Sequence, residues 1–274
     1  MRVPGTTTLR REYWRWRGRL LGDGVILGYH RVADDPENPH YLAVSPSHFR
    51  EQIEVLRRHF DLVSLTEMAR QYDLAPGNAS EPVGGQPTSR RPLTLTFDDA
   101  YVDVLENALP QVEEYGIPVT VFVVTEVLGD KRFRWDVDRG GVEGRPVNVE
   151  ELRELADRPG VDIGAHTLTH PDLTTLPLPQ IQREVVESRR RLEDLLGRSV
   201  PTFAYPHGGL DHRVRSAVET AGYEMACASR SGLVTSSTDP LRLPRFWPQD
   251  IPGEAFEVWL ASWAGTPRTG RAPS

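Results

Sequence analysis

Short apolar runs alternate with amphipathic stretches along most of this chain. Residues 24–30, 62–65, 93–97, 117–124, 161–166, 202–206, 223–228 and 241–246 are brief and rich in apolar side chains, which predicts strands. Helices are predicted between them. Ser45 caps one that starts at Pro46 and presents Phe49, Ile53, Leu56 and Phe60 at helical spacing. Thr66 caps a short one to Tyr72, and Gly116 closes one over 102–115. Residues 149–157, 178–196, 211–221 and 253–263 carry the rest, with Ile181, Val185, Leu192, Leu195 and Leu196 along one side of the longest.

Strand followed by helix, repeated six or seven times, predicts a parallel sheet with helices outside it. Polar residues stand at the C-terminal ends of separate predicted strands: His30, Asp98, Asp99, His166 and the 205–207 turn. In a parallel barrel those ends gather on one face. The 31–46 segment reads as a polar loop. The proline- and glycine-rich 74–91 segment reads as a mobile surface loop within one domain, and its Asn78-Ala79-Ser80 sequon reads as chance.

A length of 274 residues allows one large α/β domain or two small ones, and a net charge of −7 argues against nucleic-acid partners. Cys227 is the only cysteine, so an intrachain disulfide and a cysteine-based zinc site are both excluded. Any metal must be held by His, Asp or Glu. Residues 1–22 form a basic, aromatic extension in which Arg10, Arg11, Arg15, Arg17 and Arg19 interleave with Tyr13, Trp14 and Trp16. It is expected to pack on the domain, with an interfacial membrane helix as the alternative. No signal-peptide or membrane-spanning run is visible, so a cytoplasmic location is expected, with peripheral membrane association as the variant. The 265–274 tail is expected to be disordered.

The 93–100 stretch, Leu-Thr-Leu-Thr-Phe-Asp-Asp-Ala, ends a buried strand in two carboxylates. Ionised carboxylates are rarely buried without a cation. His166 and His170 stand four apart just after another strand, a spacing that lets two imidazoles share one metal. Two imidazoles, a carboxylate and open positions for water compose a catalytic zinc-type site.

Three motifs carry a resemblance: Thr96-Phe97-Asp98-Asp99-Ala100, His166-Thr167-Leu168-Thr169-His170, and Phe203-Ala204-Tyr205-Pro206-His207-Gly208. In order and spacing they are similar to the polysaccharide deacetylase family (carbohydrate esterase family 4, the NodB homology domain). Leu27-Gly28-Tyr29-His30-Arg31-Val32 resembles its branch with an N-terminal Tyr-His-x-Val motif. The resemblance covers about residues 25–246. It implies a distorted (β/α)7 TIM-like barrel, here a single domain over 23–264, and metal-dependent hydrolysis of an acetyl group from an N-acetylated sugar or glycan.

Carried over by position, Asp99, His166 and His170 are the metal ligands for one divalent ion, zinc first and cobalt, nickel or manganese next. Asp98 is the general base. The backbone amide of the Pro206–His207 turn holds the oxyanion. The late part of the chain lacks the family's usual acid histidine, so His30 is the candidate general acid. An arginine that orients the base is often found in the third motif, where this chain has Ala204. Arg245 is the candidate to replace it. Tyr205, Pro206, His207, Arg245 and Trp247 are expected to contact substrate, with a tolerated ring as the alternative for His207. Trp135 and Asp136 line the cleft or lie on ordinary surface. His40, His48, His59 and His212 are expected to be solvated. An O-acetyl esterase, a silent sugar-binding barrel and a small-metabolite amidase are the competing functions, and the intact aspartate–histidine set speaks against the silent barrel.

Overall fold

Both faces of the strands are apolar, which is what a parallel sheet covered by helices on one side and filled on the other requires. The computed structural model describes residues 23–38, 41–74, 90–130 and 144–263. The 1–22 extension, His40, the 78–80 sequon with most of the 74–91 loop, Trp135, Asp136 and the 265–274 tail lie outside the described residues.

In chain order the strands are β1 (Val25–Tyr29), β2 (Arg31–Val32), β3 (Ala43–Val44), β4 (Phe60–Leu62), β5 (Arg91–Phe97), β6 (Val119–Val123), β7 (Val161–Ala165), β8 (Thr202–Ala204) and β9 (Met225–Cys227). The helices are α1 (Pro46–His59), α2 (Leu65–Gln71), α3 (Leu109–Glu113), α4 (Val149–Asp157), α5 (Leu178–Leu196), α6 (His212–Thr220) and α7 (Gly253–Trp263). Among the described residues the main sheet runs β1-β5-β6-β7-β8-β9, every pairing parallel, with β4 beside the first half of β5.

The segment 243–246 closes the ring. Leu243 bridges Cys227 on β9 and Phe246 bridges Leu27 on β1, both in parallel. Five backbone bonds hold it: Ala228 N–H to Leu243 O, Leu243 N–H to Ala226 O, Arg245 N–H to Arg230 O, Gly28 N–H to Phe246 O and Phe246 N–H to Ile26 O. The expected strand over 241–246 is therefore corrected to a 3-10 turn (Pro240–Arg242) followed by single bridges. Pro244 has no N–H to give to a ladder, which is why no regular strand forms there.

Strand alternation divides the core. Leu95, Phe97, Val121, Ile163 and Phe203 face the helices. Ile26, Phe122, Ala204, Cys227 and Leu243 belong to a smaller cluster on the opposite, inner face, which α2 completes with Leu65, Met68 and Ala69. Met68 occupies the space beside Gly24, so α2 plugs the end where β1 begins. The other end, where the strands finish, is left for the polar residues.

Other expectations are also revised. The cap of α2 is Ser64, whose hydroxyl accepts from Glu67 N–H, and not Thr66. The 31–46 loop contains the β2–β3 pair. The helix expected over 102–115 opens as a π-turn, Val104–Ala108, before α3, because Pro110 removes an N–H from the regular ladder. His48, still partly exposed, and His59 each meet a carboxylate. His48 Nδ1 lies 2.7 Å from Asp250 and His59 Nε2 lies 2.7 Å from Glu257, which ties α1 to the C-terminal segment.

Candidate active site

Alternation along each strand decides which residues meet inside the barrel. His30 follows Ile26 and Gly28, Asp98 follows Thr94 and Thr96, His166 follows Asp162 and Gly164, and Arg245 follows Leu243, so all four continue inner-face rows. Asp99 belongs to the opposite row and must be turned inward. The backbone does this by entering the left-handed region at Asp99 (φ 68°) and Ala100 (φ 50°). Thr167 (φ 69°), His170 (φ 64°) and His207 (φ 56°) adopt it as well, so among the described residues five of the eight non-glycine residues with positive φ surround this one site. Such conformations cost on the order of 1–3 kcal/mol each and persist where neighbouring contacts hold them.

Asp99, His166 and His170 form a buried triangle. Asp99 Oδ1 is 3.6 Å from His166 Nε2 and 3.4 Å from His170 Nε2, and the two imidazole nitrogens are 3.2 Å apart. Donors roughly 2.0–2.2 Å from one ion at tetrahedral angles lie about 3.3–3.6 Å from each other, so the triangle fits a zinc-sized cation with a position left over. His166 Nδ1 is 2.8 Å from the Ala204 carbonyl, which places its proton there and leaves Nε2 bare. Burial lowers the pKa of both imidazoles, so they are neutral and available as ligands.

Asp98 is held differently. Arg245 grips it with a two-point fork, Nη1 to Oδ1 at 2.7 Å and Nη2 to Oδ2 at 2.8 Å. Arg245 is fully buried and also donates to Thr96 Oγ1 and the Ala228 carbonyl. Burial on its own would raise the Asp98 pKa. The Arg245 charge, the His166 ring and the Arg245 hydrogen bonds together outweigh that and bring it down to about 2. Its Oδ2 stands 3.9 Å from His166 Nε2, so the carboxylate faces the triangle without joining it.

His30 is half-buried, its ring stacked on Trp247 with centroids 5.1 Å apart. Desolvation lowers its pKa to about 4, with Asp98 acting in the opposite sense. The other face of this arrangement is the Arg245 guanidinium, 4.6 Å from the Trp247 ring. Gly28 makes room for the indole, since a side chain there would collide with it. His207 is exposed at the mouth, its ring 4.6 Å from that of His170.

Tyr205 does not reach the cleft through its side chain. The phenol is buried and its hydroxyl donates to the Leu241 carbonyl at 2.9 Å, which corrects the expectation that it contacts substrate. Pro206 is buried as well, and Arg245 is enclosed behind Asp98, so of the five expected contacts only His207 and the edge of Trp247 have exposed surface. Glu184, on α5, was not singled out by sequence reasoning. Its carboxylate accepts from Leu168 N–H, Thr169 N–H and Thr169 Oγ1. The available signal was a lone acid on the buried stripe of Ile181, Val185, Ser188 and Leu192.

The parallel barrel thus carries, at its strand ends, a carboxylate–imidazole donor triangle and a clamped second carboxylate. A sequence model of the polysaccharide deacetylase family matches residues 85–226, and the chain belongs to that family. YxkH of Bacillus subtilis (strain 168) is 25% identical over 175 residues, which span 64% of this chain and 58% of YxkH. The poly-beta-1,6-N-acetyl-D-glucosamine N-deacetylase of Staphylococcus aureus (strain MRSA252) is 24% identical over 262 residues, 88% of this chain and 83% of that protein. Among solved structures, Streptococcus pyogenes deacetylase PplD in complex with acetate superposes with a TM-score of 0.69 at 20% identity, covering 87% of this chain and 97% of PplD. IcaB from Ammonifex degensii gives 0.68 at 22% identity, covering 89% and 98%.

Proposed function

We propose that this protein removes the acetyl group from N-acetylated amino-sugar units of a polysaccharide, oligosaccharide or glycoconjugate. The observation that carries the reading is the Asp99–His166–His170 triangle standing beside a carboxylate that Arg245 keeps out of it. The substrate class named for the Staphylococcus aureus relative supports it. A divalent cation, zinc foremost, held by Asp99, His166 and His170 supplies Lewis-acid polarisation of the acetyl carbonyl and acidifies water.

The chain's own residues do the rest. Asp98 is ionised at neutral pH, and its Oδ2 faces the triangle, so it takes the proton of the attacking water. The His207 backbone N–H, in the strained turn after Pro206, donates to the oxygen that gains charge as water adds to the carbonyl carbon. The carbon–nitrogen bond then breaks, acetate leaves, and the sugar nitrogen takes a proton from His30. Because His30 is neutral at rest, the proton it gives is the one Asp98 took from the water, passed to His30 before the carbon–nitrogen bond breaks, so both side chains end the cycle as they began.

Metal content and acetate release from N-acetylglucosamine oligomers test this together. Asp98→Asn is expected to keep the metal and lose roughly 10²- to 10⁴-fold in turnover. His166→Ala is expected to lose both. A fully active Asp98→Asn sinks the base assignment. Metal-loaded protein that releases acetate only from O-acetylated sugars moves the reading to an esterase.

A further inference from the structure

We propose that Glu184 is a positioning residue for the metal centre, setting from α5 the turn that carries both imidazoles. The proposal rests on the metal-binding reading of Asp99, His166 and His170. Glu184 is 9% exposed, on the buried side of its helix. Its Oε2 accepts two successive backbone amides, Leu168 and Thr169, each at 3.0 Å, and its Oε1 accepts the Thr169 hydroxyl at 2.8 Å. Those amides lie between the two histidines. Two N–H groups converging on one oxygen orient the peptide planes on both sides of Leu168, and with them the directions in which His166 and His170 leave the backbone.

The turn needs such a hold. Thr167 and His170 are both left-handed, and from outside the turn Thr125 N–H and Glu126 N–H reach only the carbonyls of Thr167 and Leu168, leaving the Leu168 and Thr169 amides to Glu184. Thr167 Oγ1 ties its ends by donating to the His166 carbonyl and accepting from His170 N–H. That brace is internal to the turn and could move with it. Glu184 is the link to a helix of nineteen residues packed on the barrel. Donor nitrogens 3.2 Å apart tolerate little displacement before a shared ion loses one of them. Loss of an outer partner of this kind typically weakens metal binding roughly 10- to 100-fold.

The test titrates the metal-free full chain with Zn²⁺ and with Co²⁺, reading the Co²⁺ visible absorption bands for coordination and a thermal melt of each metal-free variant for stability. Glu184→Gln keeps an oxygen for both amides and can donate to the Thr169 hydroxyl, so its affinity is expected within a few-fold of wild type. Glu184→Ala is expected to bind both metals roughly 10- to 100-fold more weakly with changed Co²⁺ bands. If the alanine variant does not fold, Glu184→Asp replaces it, being one methylene too short to serve both amides, and the same weakening is expected. Wild-type affinity and unchanged bands in the alanine or aspartate variant overturn the proposal, even where the metal-free protein is less stable. Failure of the wild-type chain to bind either ion overturns the metal reading instead.

Discussion

Asp98 and Asp99 are identical side chains one bond apart, and what each faces gives them separate tasks. Asp99 meets two neutral imidazoles, while Asp98 meets a guanidinium fork. Removing one partner of a buried ion pair leaves a charge without its counterpart, so Arg245→Met is expected to destabilise the fold by about 3–5 kcal/mol. Arg245→Lys keeps the charge but offers no planar fork, and is expected to lose turnover by more than it loses stability. Denaturant melts beside acetate release check both; a lysine variant with wild-type turnover would show that orientation of Asp98 is unimportant. The donor residues were readable in the sequence because their motifs are compact. The contact of Arg245 with Asp98 spans most of the chain, and only Ala204, standing where an arginine is frequent, hinted that some distant residue must supply it. Tyr205 misled because its motif lies at a strand end, whereas its own alternation turns the phenol toward Leu241.

Helices with a cap and a full apolar stripe were legible to the residue. Both α4 and α5 have the bounds their periodicity predicts. In α4 the reason is local: Asn148 and Glu151 form a reciprocal capping box, and Arg145 holds Glu151 at both oxygens. Those Arg145 hydrogen bonds are the main cause of the lowered Glu151 pKa. A lowered carboxylate contributes stability above its unfolded pKa and loses it as pH falls through the folded value. Glu151→Gln is therefore expected to cost about 1 kcal/mol at pH 7, the gap closing below about pH 4. Melts across pH read this directly, and a gap that persists in acid would point to packing. Elements without such local signals were misplaced. The π-turn before α3 and the bridged 243–246 segment depend on prolines set against tertiary contacts, which periodicity does not report.

Across the whole molecule, the strand–helix rhythm predicted a parallel sheet with helices outside it, the family resemblance implied its closing into a barrel, and the rule that parallel strand ends share one face located the site. The order of strands and the way the ring closes were not legible, since both depend on pairings between residues far apart in sequence. Among the described residues no helix is long and apolar enough to cross a membrane. The ligand triangle joins the turn after β5 to the turn after β7, so a bound ion stabilises the native barrel over the unfolded chain. At an ion concentration about 100 times the dissociation constant that linkage is worth about 2.7 kcal/mol, or roughly 5–10 °C in the melting midpoint. Calorimetry with and without a chelator measures it, and an unchanged midpoint would mean that the triangle holds nothing.

Closure by 243–246 has a consequence for the order of events on the ribosome. All three metal donors emerge well before Arg245, which arrives on the very segment that seals β9 to β1. Until that segment is in place, Asp98 has no guanidinium fork beside it. Acetate release is therefore expected only from chains whose 243–246 segment is free to join β9 to β1, which on the ribosome requires further chain to fill the exit tunnel. Acetate release from ribosome-bound chains stalled with and without a linker long enough to free that segment would time the onset.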